Sequence, residues 1–226
     1  MENTSQKMVI DPYEDPSRKG GSIQTFTGHV IYPLDPREED IFLEDVAHAM
    51  GNKARFTGHT KKFYSSGEHA VRVSWALRDL GASLMTQYVG LHHDDSDAFL
   101  PDVPTPLKVL PEFAWFRVLE HQHQDLCFKR FGCIVLGEED YYPVKKADVI
   151  LLLTEKRDLM PRRNSNWDKK YQEKYGVTAI AAPYVIRPWT PEEAKERYLE
   201  RNKELADALL QSYPGFRCNG LEANPG

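Results

Sequence analysis

The sequence is poor in cysteine and in long apolar runs, and it has no excess of positive charge. Its three cysteines, Cys127, Cys133 and Cys218, show no CxxC spacing, so they predict free thiols in a reducing compartment. The longest apolar run, residues 149–153, is far too short to span a bilayer, and the polar N-terminus has no signal-peptide pattern. We therefore expect a cytoplasmic protein with no membrane partner.

Charge and composition restrict the function classes further. A formal net charge of −5 disfavours a binder of duplex nucleic acid, which would usually carry a basic face. With 41% hydrophobic and 28% charged residues, the chain of 226 residues has the composition of a globular protein with a sizeable core. The sequence indicates a flexible N-terminal lead-in over residues 1–21, a single domain over residues 22–210 and a C-terminal tail over residues 211–226.

Hydrophobic periodicity predicts a mainly α-helical fold with a small N-terminal β-hairpin. Alternating apolar residues over 22–32, around Thr27-Gly28-His29, indicate the hairpin. A short strand over residues 179–186 could pair with it, and residues 147–153 favour a buried helix although their periodicity also allows a strand. Helices are predicted from near residue 36 or 39 to 50, over 66–80, 83–94 and 113–131, from near 143 to 159, and over 191–210.

Four polar side chains fall on helical faces that are otherwise apolar. His69 and His93 lie on two such faces, Asp94 follows His93 near a helix end, and Asp148 interrupts an aliphatic stripe. Each could be a satisfied structural residue by itself, but a buried carboxylate such as Asp148 needs a partner. Two imidazoles and two carboxylates suit Mn, Co, Zn, Fe or Ni, and one ion would satisfy all four groups. Together they predict a divalent metal site.

The order His69, His93-Asp94, Asp148 resembles that of the HD-domain metal-dependent phosphohydrolases. Ser66-Gly67-Glu68-His69 and Lys145-Lys146-Ala147-Asp148 resemble the segments that carry the family's first and last ligands. Residues 91–108, Leu-His-His-Asp-Asp-Ser-Asp-Ala-Phe-Leu-Pro-Asp-Val-Pro-Thr-Pro-Leu-Lys, resemble its central segment. Residues 55–60, Arg-Phe-Thr-Gly-His-Thr, and 187–191, Arg-Pro-Trp-Thr-Pro, are similar to the branch of bacterial 5′-deoxynucleotidases and phage dATP triphosphohydrolases. The resemblance covers about residues 22–205.

The resemblance implies an HD-domain helical bundle and an enzyme that hydrolyses phosphate ester or anhydride bonds in a nucleotide. The expected substrate is a deoxynucleoside mono- or triphosphate, and a homo-oligomer is typical of the family. Asp97, where that branch usually has a glutamate, and Asp102 correspond to acids that handle the proton when water attacks phosphorus. The implied metal ligands are His69, His93, Asp94 and Asp148, and the implied substrate contacts are Arg55, Phe56, His59 and Lys108.

The sequence leaves alternative roles open for several of these residues. His92 could compete with its neighbour His93 as the ligand, although the spacing from His93-Asp94 to the downstream acids favours His93. Asp97 and Asp102 could instead cap turns in the proline-rich segment that follows. Arg55 could pair with an acid of the first helix instead of binding phosphate.

Two other functions stay open. A (p)ppGpp hydrolase of the same superfamily is one, and Ala98 disfavours it because a second acid is expected at that position. A non-catalytic nucleotide-binding regulatory protein is the other, and the intact set of ligands argues against it.

Overall fold

The computed structural model describes residues 15–135, 137–161, 169, 171, 173 and 181–219. Within these residues the fold is mainly α-helical with a two-stranded antiparallel hairpin near the N-terminus, which confirms the predicted fold class. In the same residues, no helix combines the length and the apolar composition that crossing a bilayer requires. The helices are α1 (Leu43–Asn52), α2 (Ser66–Asp79), α3 (Leu84–Leu91), α4 (Thr105–Lys108), α5 (Ala114–Phe131), α6 (Glu138–Leu159) and α7 (Pro191–Ser212).

The hairpin lies against α1 and is held there by a buried carboxylate. Strand β1 (Ile23–Gln24) pairs with β2 (Val30–Ile31) in the register Ile23 to Ile31, as the alternation predicts. Asp45 of α1 is 2% exposed and accepts hydrogen bonds from the Thr27 backbone nitrogen at 2.7 Å and from the Thr25 hydroxyl at 2.8 Å. These bonds satisfy the Asp45 charge and fix the hairpin tip on the helix.

Helix α2 occupies the centre of the bundle and packs against α1, α3, α6 and α7. The Ser65 hydroxyl accepts from the Glu68 backbone nitrogen at 3.0 Å, so Ser65 is the N-cap of α2. His69, Val73 and Leu77 are buried as the stripe predicts, but Leu80 is 51% exposed because the helix ends before it. The central position of α2 explains why a polar side chain on its inner face must find partners inside the protein.

The predicted helix over 83–94 extends three residues too far at its C-terminal end. Helix α3 ends at Leu91, so His93 and Asp94 lie in a turn that leads into a 3-10 helix, Asp95–Ala98. The ring of His93 provides the physical reason, since its Nδ1 donates to the carbonyl of Gly90 at 2.8 Å. The side chain thereby takes a carbonyl that a continuing helix would have used.

Two other helix starts differ from the prediction. The acidic segment before α1 forms a separate 3-10 helix, Glu38–Asp40. The backbone of Ile41 is extended, so the predicted helix is interrupted there and α1 begins only at Leu43. Helix α6 begins at Glu138, so Pro143 lies inside it and not at its start. Residues 147–153 are helical, in agreement with the favoured reading of that run. Pro143 is the sixth residue of α6, where it lacks the backbone donor that would reach the Glu139 carbonyl, so the helix continues past it with one bond fewer.

The predicted strand over 179–186 is wrong in the part that the structure describes. Residues 181–186 are irregular, and α6 side chains take their backbone donors: Ala182 N donates to Thr154 Oγ1 and Ile186 N to Asp158 Oδ2, both at 2.8 Å. Helix α7 begins with the predicted capping box of Thr190 and Glu193.

The first residues of the predicted C-terminal tail pack against the bundle. Phe216 is 3% exposed within the core, and the Asn219 backbone nitrogen donates to the Arg130 carbonyl at 3.0 Å. Gly132 ends α5 with φ +72°, and a Cβ atom at this position would lie 2.0 Å from the carbonyl oxygen of Arg217. The tail therefore crosses the end of α5 where only glycine fits.

We expect Gly132→Ala to destabilise the protein more than Gly81→Ala. Gly81 has a similar φ of +74° but open space around it. Its substitution should therefore cost only the free energy of holding an alanine in the left-handed backbone conformation, about 1 kcal/mol. Gly132→Ala must also displace the backbone near Arg217. Urea unfolding of both variants measures the difference, and equal losses would contradict the close crossing of the tail over α5.

Candidate metal centre

His69 is oriented by a carboxylate buried behind it. Its Nδ1 lies 2.6 Å from Oε1 of Glu155 on α6, and both side chains are completely buried. Glu155 also accepts from the Tyr64 hydroxyl at 2.9 Å and from Arg55 at 3.3 Å. Burial raises the pKa of Glu155, but the charges of Arg55 and His69 and the hydrogen bonds outweigh burial and keep the pKa below its ordinary value. With Nδ1 bonded to a carboxylate, Nε2 of His69 points toward α3 and the interior cluster.

His93 is oriented in the same sense by the backbone. Its Nδ1 donates to the Gly90 carbonyl, so Nε2 is again the nitrogen that faces the centre. The two imidazole centroids lie 5.3 Å apart. Both Nε2 atoms are buried and have no hydrogen-bond partner among the described residues. Unpartnered buried polar atoms are costly, and two aimed at one place indicate a missing common partner.

A carboxylate of α6 completes the cluster. Asp148 of α6 brings Oδ1 to 3.2 Å from Nε2 of His69, in contact but without hydrogen-bond alignment. One ligand atom from each of His69, His93 and Asp148 lies within 4.8 Å of the other two. This geometry fits a divalent ion placed between them, because two imidazole nitrogens and a carboxylate oxygen are ordinary ligands for Mn, Co, Fe, Ni or Zn.

Asp94 adjoins this group without being one of its three members. Its Oδ2 lies 3.2 Å from Nε2 of His93 and 3.8 Å from the Arg55 guanidinium. Burial raises the pKa of Asp94, but the charges of the His93 and His69 imidazoles and of Lys145 outweigh burial and hold the pKa well below the ordinary range. The carboxylate is therefore ionised at neutral pH.

The cluster without metal carries a proton that an ion would have to displace. Burial and the charge of Arg55 lower the pKa of His69, but Glu155 and Asp148 outweigh them and raise it to about 9. Metal ligation needs a neutral imidazole, so binding at neutral pH would release this proton.

His92 faces away from the cluster. Both of its ring nitrogens are engaged on the opposite side of the turn, Nδ1 with Asp95 at 2.6 Å and Nε2 with Asn202 at 2.9 Å. The ring is fully buried among Tyr88, Phe131 and Tyr198. Of the two adjacent histidines, His93 alone presents a nitrogen to His69.

Asp97 lies beside the cluster in an environment that favours its protonated form. It is 8% exposed, and burial together with the charges of Asp94 and Asp102 raises its pKa to about 7, although Lys53 and Lys108 act in the opposite sense. Lys53 donates to the backbone carbonyls of Asp97 and Leu100 and so anchors the 3-10 helix. A carboxyl group that titrates near neutral pH is suited to general acid or base chemistry.

The four predicted substrate residues lie in different surroundings, and the structure brings only some of them together. Arg55 is directed inward by a 3-10 turn, Arg55–Gly58, in which Phe56 and Thr57 both have φ +53°. Phe56 lies beside the guanidinium, 5.5 Å from ring centroid to Cζ. Lys108 donates to Glu120. His59 is exposed, and no hydrogen bond or ion pair connects its side chain to another described residue.

The sequence interpretation missed Glu155 and Lys145 as parts of the centre. Glu155 lies seven residues, two helical turns, after Asp148 on the same face, and that spacing was the signal that could have identified it. Lys145 brings Nζ to 3.8 Å from Oδ2 of Asp148 at the mouth of the cluster. Arg55 and Lys145 thus place positive charge near Asp94 and Asp148 respectively.

Comparison with known proteins gives relatives without a described activity. The chain is 32% identical over 186 residues to the uncharacterized protein YfdR of Escherichia coli (strain K12), covering 82% of this chain and 96% of YfdR. It is 26% identical over 188 residues to the uncharacterized protein RCAP_rcc00048 of Rhodobacter capsulatus, covering 81% of this chain and 94% of that protein. No family model matches the sequence.

We expect Glu155→Gln to weaken metal binding by about 10- to 100-fold, because a neutral amide no longer strengthens the basicity of His69. Titration of the metal-free protein with Mn²⁺ or Co²⁺ measures the dissociation constant. Glu200→Gln, on the exposed face of α7, is the matched control and should bind like the wild type. Unchanged affinity in Glu155→Gln would contradict a ligand role for His69.

We expect Asp97→Asn to remove a pH dependence of stability. The folded-state pKa of Asp97, about 7, lies above its ordinary value of 3.8, so its contribution to stability is lost as pH rises between those values. The variant should therefore gain stability relative to the wild type over this window, by up to ~1.4 kcal/mol per pH unit. Urea unfolding with a chelator, from pH 4 to 8, tests this. The exposed Asp125→Asn is the control, and parallel curves for wild type and Asp97→Asn would refute the expectation.

Proposed function

This chain belongs to the same family as YfdR of Escherichia coli, and we propose that it is a metal-dependent phosphohydrolase that acts on a nucleotide. The observation that carries the proposal is the pair of unpartnered Nε2 atoms of His69 and His93, which meet the carboxylate of Asp148. In both rings Nδ1 is engaged, with Glu155 for His69 and with the Gly90 carbonyl for His93, which is the arrangement that directs Nε2 of a histidine to a metal.

The charges around the cluster favour an anionic substrate. A bound divalent ion would polarise a phosphoryl oxygen and lower the pKa of water. Arg55 lies 3.8 Å from Asp94, and Lys145 lies 3.8 Å from Asp148. Cations in these positions can stabilise the charge of a phosphoryl group as it is transferred. Lys53 and Lys108 add positive charge near Asp97, since both act to lower the pKa of that carboxyl.

Proton transfer is assigned to Asp97, with Asp102 as the second acid. With a pKa of about 7, the Asp97 carboxyl exists in both protonation states at neutral pH. It can therefore accept a proton from the attacking water or give one to the leaving oxygen. Asp102 contributes to the raised pKa of Asp97, which indicates that the two carboxylates lie near each other.

The nucleotide class rests on the resemblance of residues 55–60 and 187–191 to deoxynucleotidases and dATP triphosphohydrolases. Phe56 supports it, because an aromatic ring held next to a phosphate-binding arginine can contact a base or sugar. The left-handed backbone of Phe56 and Thr57 is unfavourable for residues with side chains, and such strain occurs often at functional sites.

We expect hydrolysis of at least one nucleotide in a panel of ribo- and deoxynucleoside mono-, di- and triphosphates supplied with Mn²⁺, Co²⁺ or Zn²⁺. Separate measurement of phosphate, pyrophosphate and triphosphate identifies the bond that is cleaved. His69→Ala and Asp148→Asn should lower kcat/KM at least about 100-fold, because each removes a ligand. His121→Ala, an exposed histidine on α5, should retain full activity. Wild-type activity in both ligand variants, or no hydrolysis with any metal, would reject the proposal.

A further inference from the structure

A second buried polar network lies directly behind the turn that carries His93 and Asp94. It is formed by His92 and Asp95 of the turn and by Tyr198 and Asn202 of α7, and all four side chains are fully buried. Nothing in the proposed chemistry uses these groups. Ordering four polar groups inside a core is demanding, because each must be satisfied there.

The network joins α7 to both ends of the turn. The Tyr198 hydroxyl donates to Oδ1 of Asp95 at 2.5 Å and lies 3.0 Å from Nδ1 of His92. Oδ1 of Asn202 lies 2.9 Å from Nε2 of His92, and His92 and Asp95 are paired at 2.6 Å. Residues 92 and 95 are thus fixed by the same helix, with His93 and Asp94 between them.

The turn needs such support because helix α3 has already ended. Inside the turn, the backbone bond from Asp95 to the His92 carbonyl is long, at 3.4 Å. From α5, Gln124 donates to the His92 carbonyl at 2.7 Å and accepts from the Ser96 nitrogen at 3.1 Å. Side chains of α5 and α7 therefore hold the turn from outside, in addition to the bond between the His93 ring and the Gly90 carbonyl.

We propose that Tyr198 and Asn202 are positioning residues that hold the turn so that His93 and Asp94 face His69 and Asp148. The inference rests on the proposed metal site and adds to it the helix that sets the geometry of the site. It predicts that removal of the Tyr198 hydroxyl changes the orientation of the His93 ring although the two side chains belong to opposite faces of the turn.

A positioning role of Tyr198 and Asn202 can be distinguished from a purely structural one, because α7 makes a comparable buried contact away from the turn. Nε of Arg201 donates to Oγ of the buried Ser74 at 3.0 Å, and Arg201 also bonds Gln87 at 2.7 Å. These bonds join α7 to α2 and α3 without touching the turn. Ser74→Ala and Tyr198→Phe each delete one buried hydroxyl bonded across the α7 interface.

The first experiment records ¹⁵N-imidazole NMR spectra of the metal-free full chain. We expect Tyr198→Phe and Asn202→Ala to shift the ring signals of His93 and to lower the fraction with hydrogen on Nδ1. Ser74→Ala should lower Tm by a similar amount and leave the His93 signals unchanged. A Tm loss in Tyr198→Phe and Asn202→Ala with wild-type His93 signals would overturn the proposal.

The second experiment titrates the same proteins with Mn²⁺ or Co²⁺. We expect the dissociation constant to rise about tenfold in Tyr198→Phe and Asn202→Ala and to stay within about twofold in Ser74→Ala, as for other outer partners of metal ligands. Equal affinity in all variants would overturn the positioning role and leave the proposed function standing. A wild type that binds no metal would reject the proposed function, and the ring signals would still decide the positioning role.

Discussion

The contact between His69 and Glu155 is the constraint on which the rest of the centre depends. A fully buried carboxylate loses its hydration, and that loss must be offset by charged and hydrogen-bonding partners. Glu155 has three such partners: His69 from α2, Tyr64 just before α2, and Arg55 from the strained turn. Glu155 therefore fixes three features of the centre: the ring of His69, the start of α2 and the Arg55 guanidinium beside Asp94. Because Nδ1 of His69 is committed to Glu155, its Nε2 is left for the cluster.

The neighbouring histidines show how one turn can serve two purposes. His92 and His93 are adjacent and both buried, yet their rings face opposite sides of the same turn. His92 is bound at both nitrogens and belongs to the core between α3, α5 and α7. His93 is bound only at Nδ1, by the helix end from which it emerges. The end of α3 at Leu91 makes this division possible, since side chains in a continuing helix would point only about 100° apart.

Electrostatic balance links the candidate metal ligands to the proposed chemistry. Asp94 and Asp148 are held ionised, whereas Asp97 is held near its titration point only one turn away. The difference comes from partners: Asp94 and Asp148 each contact an imidazole, while Asp97 faces other carboxylates and is opposed only partly by lysines. Acids with separated pKa values in one site are a physical basis for dividing metal binding from proton transfer.

Local signals in the sequence predicted the helical fold class, the hairpin and, among four expected ligands, the three residues that cluster, because periodicity and polar residues on apolar faces are visible in short segments. Tertiary structure decided the rest. Helix α3 stops at Leu91 because the His93 ring takes the Gly90 carbonyl, and residues 181–186 form no strand because α6 side chains bond their backbone. The choice between His92 and His93, and the part of Glu155, depend on contacts between residues as many as 110 positions apart. Local pattern cannot encode such contacts, since they exist only once the helices have packed.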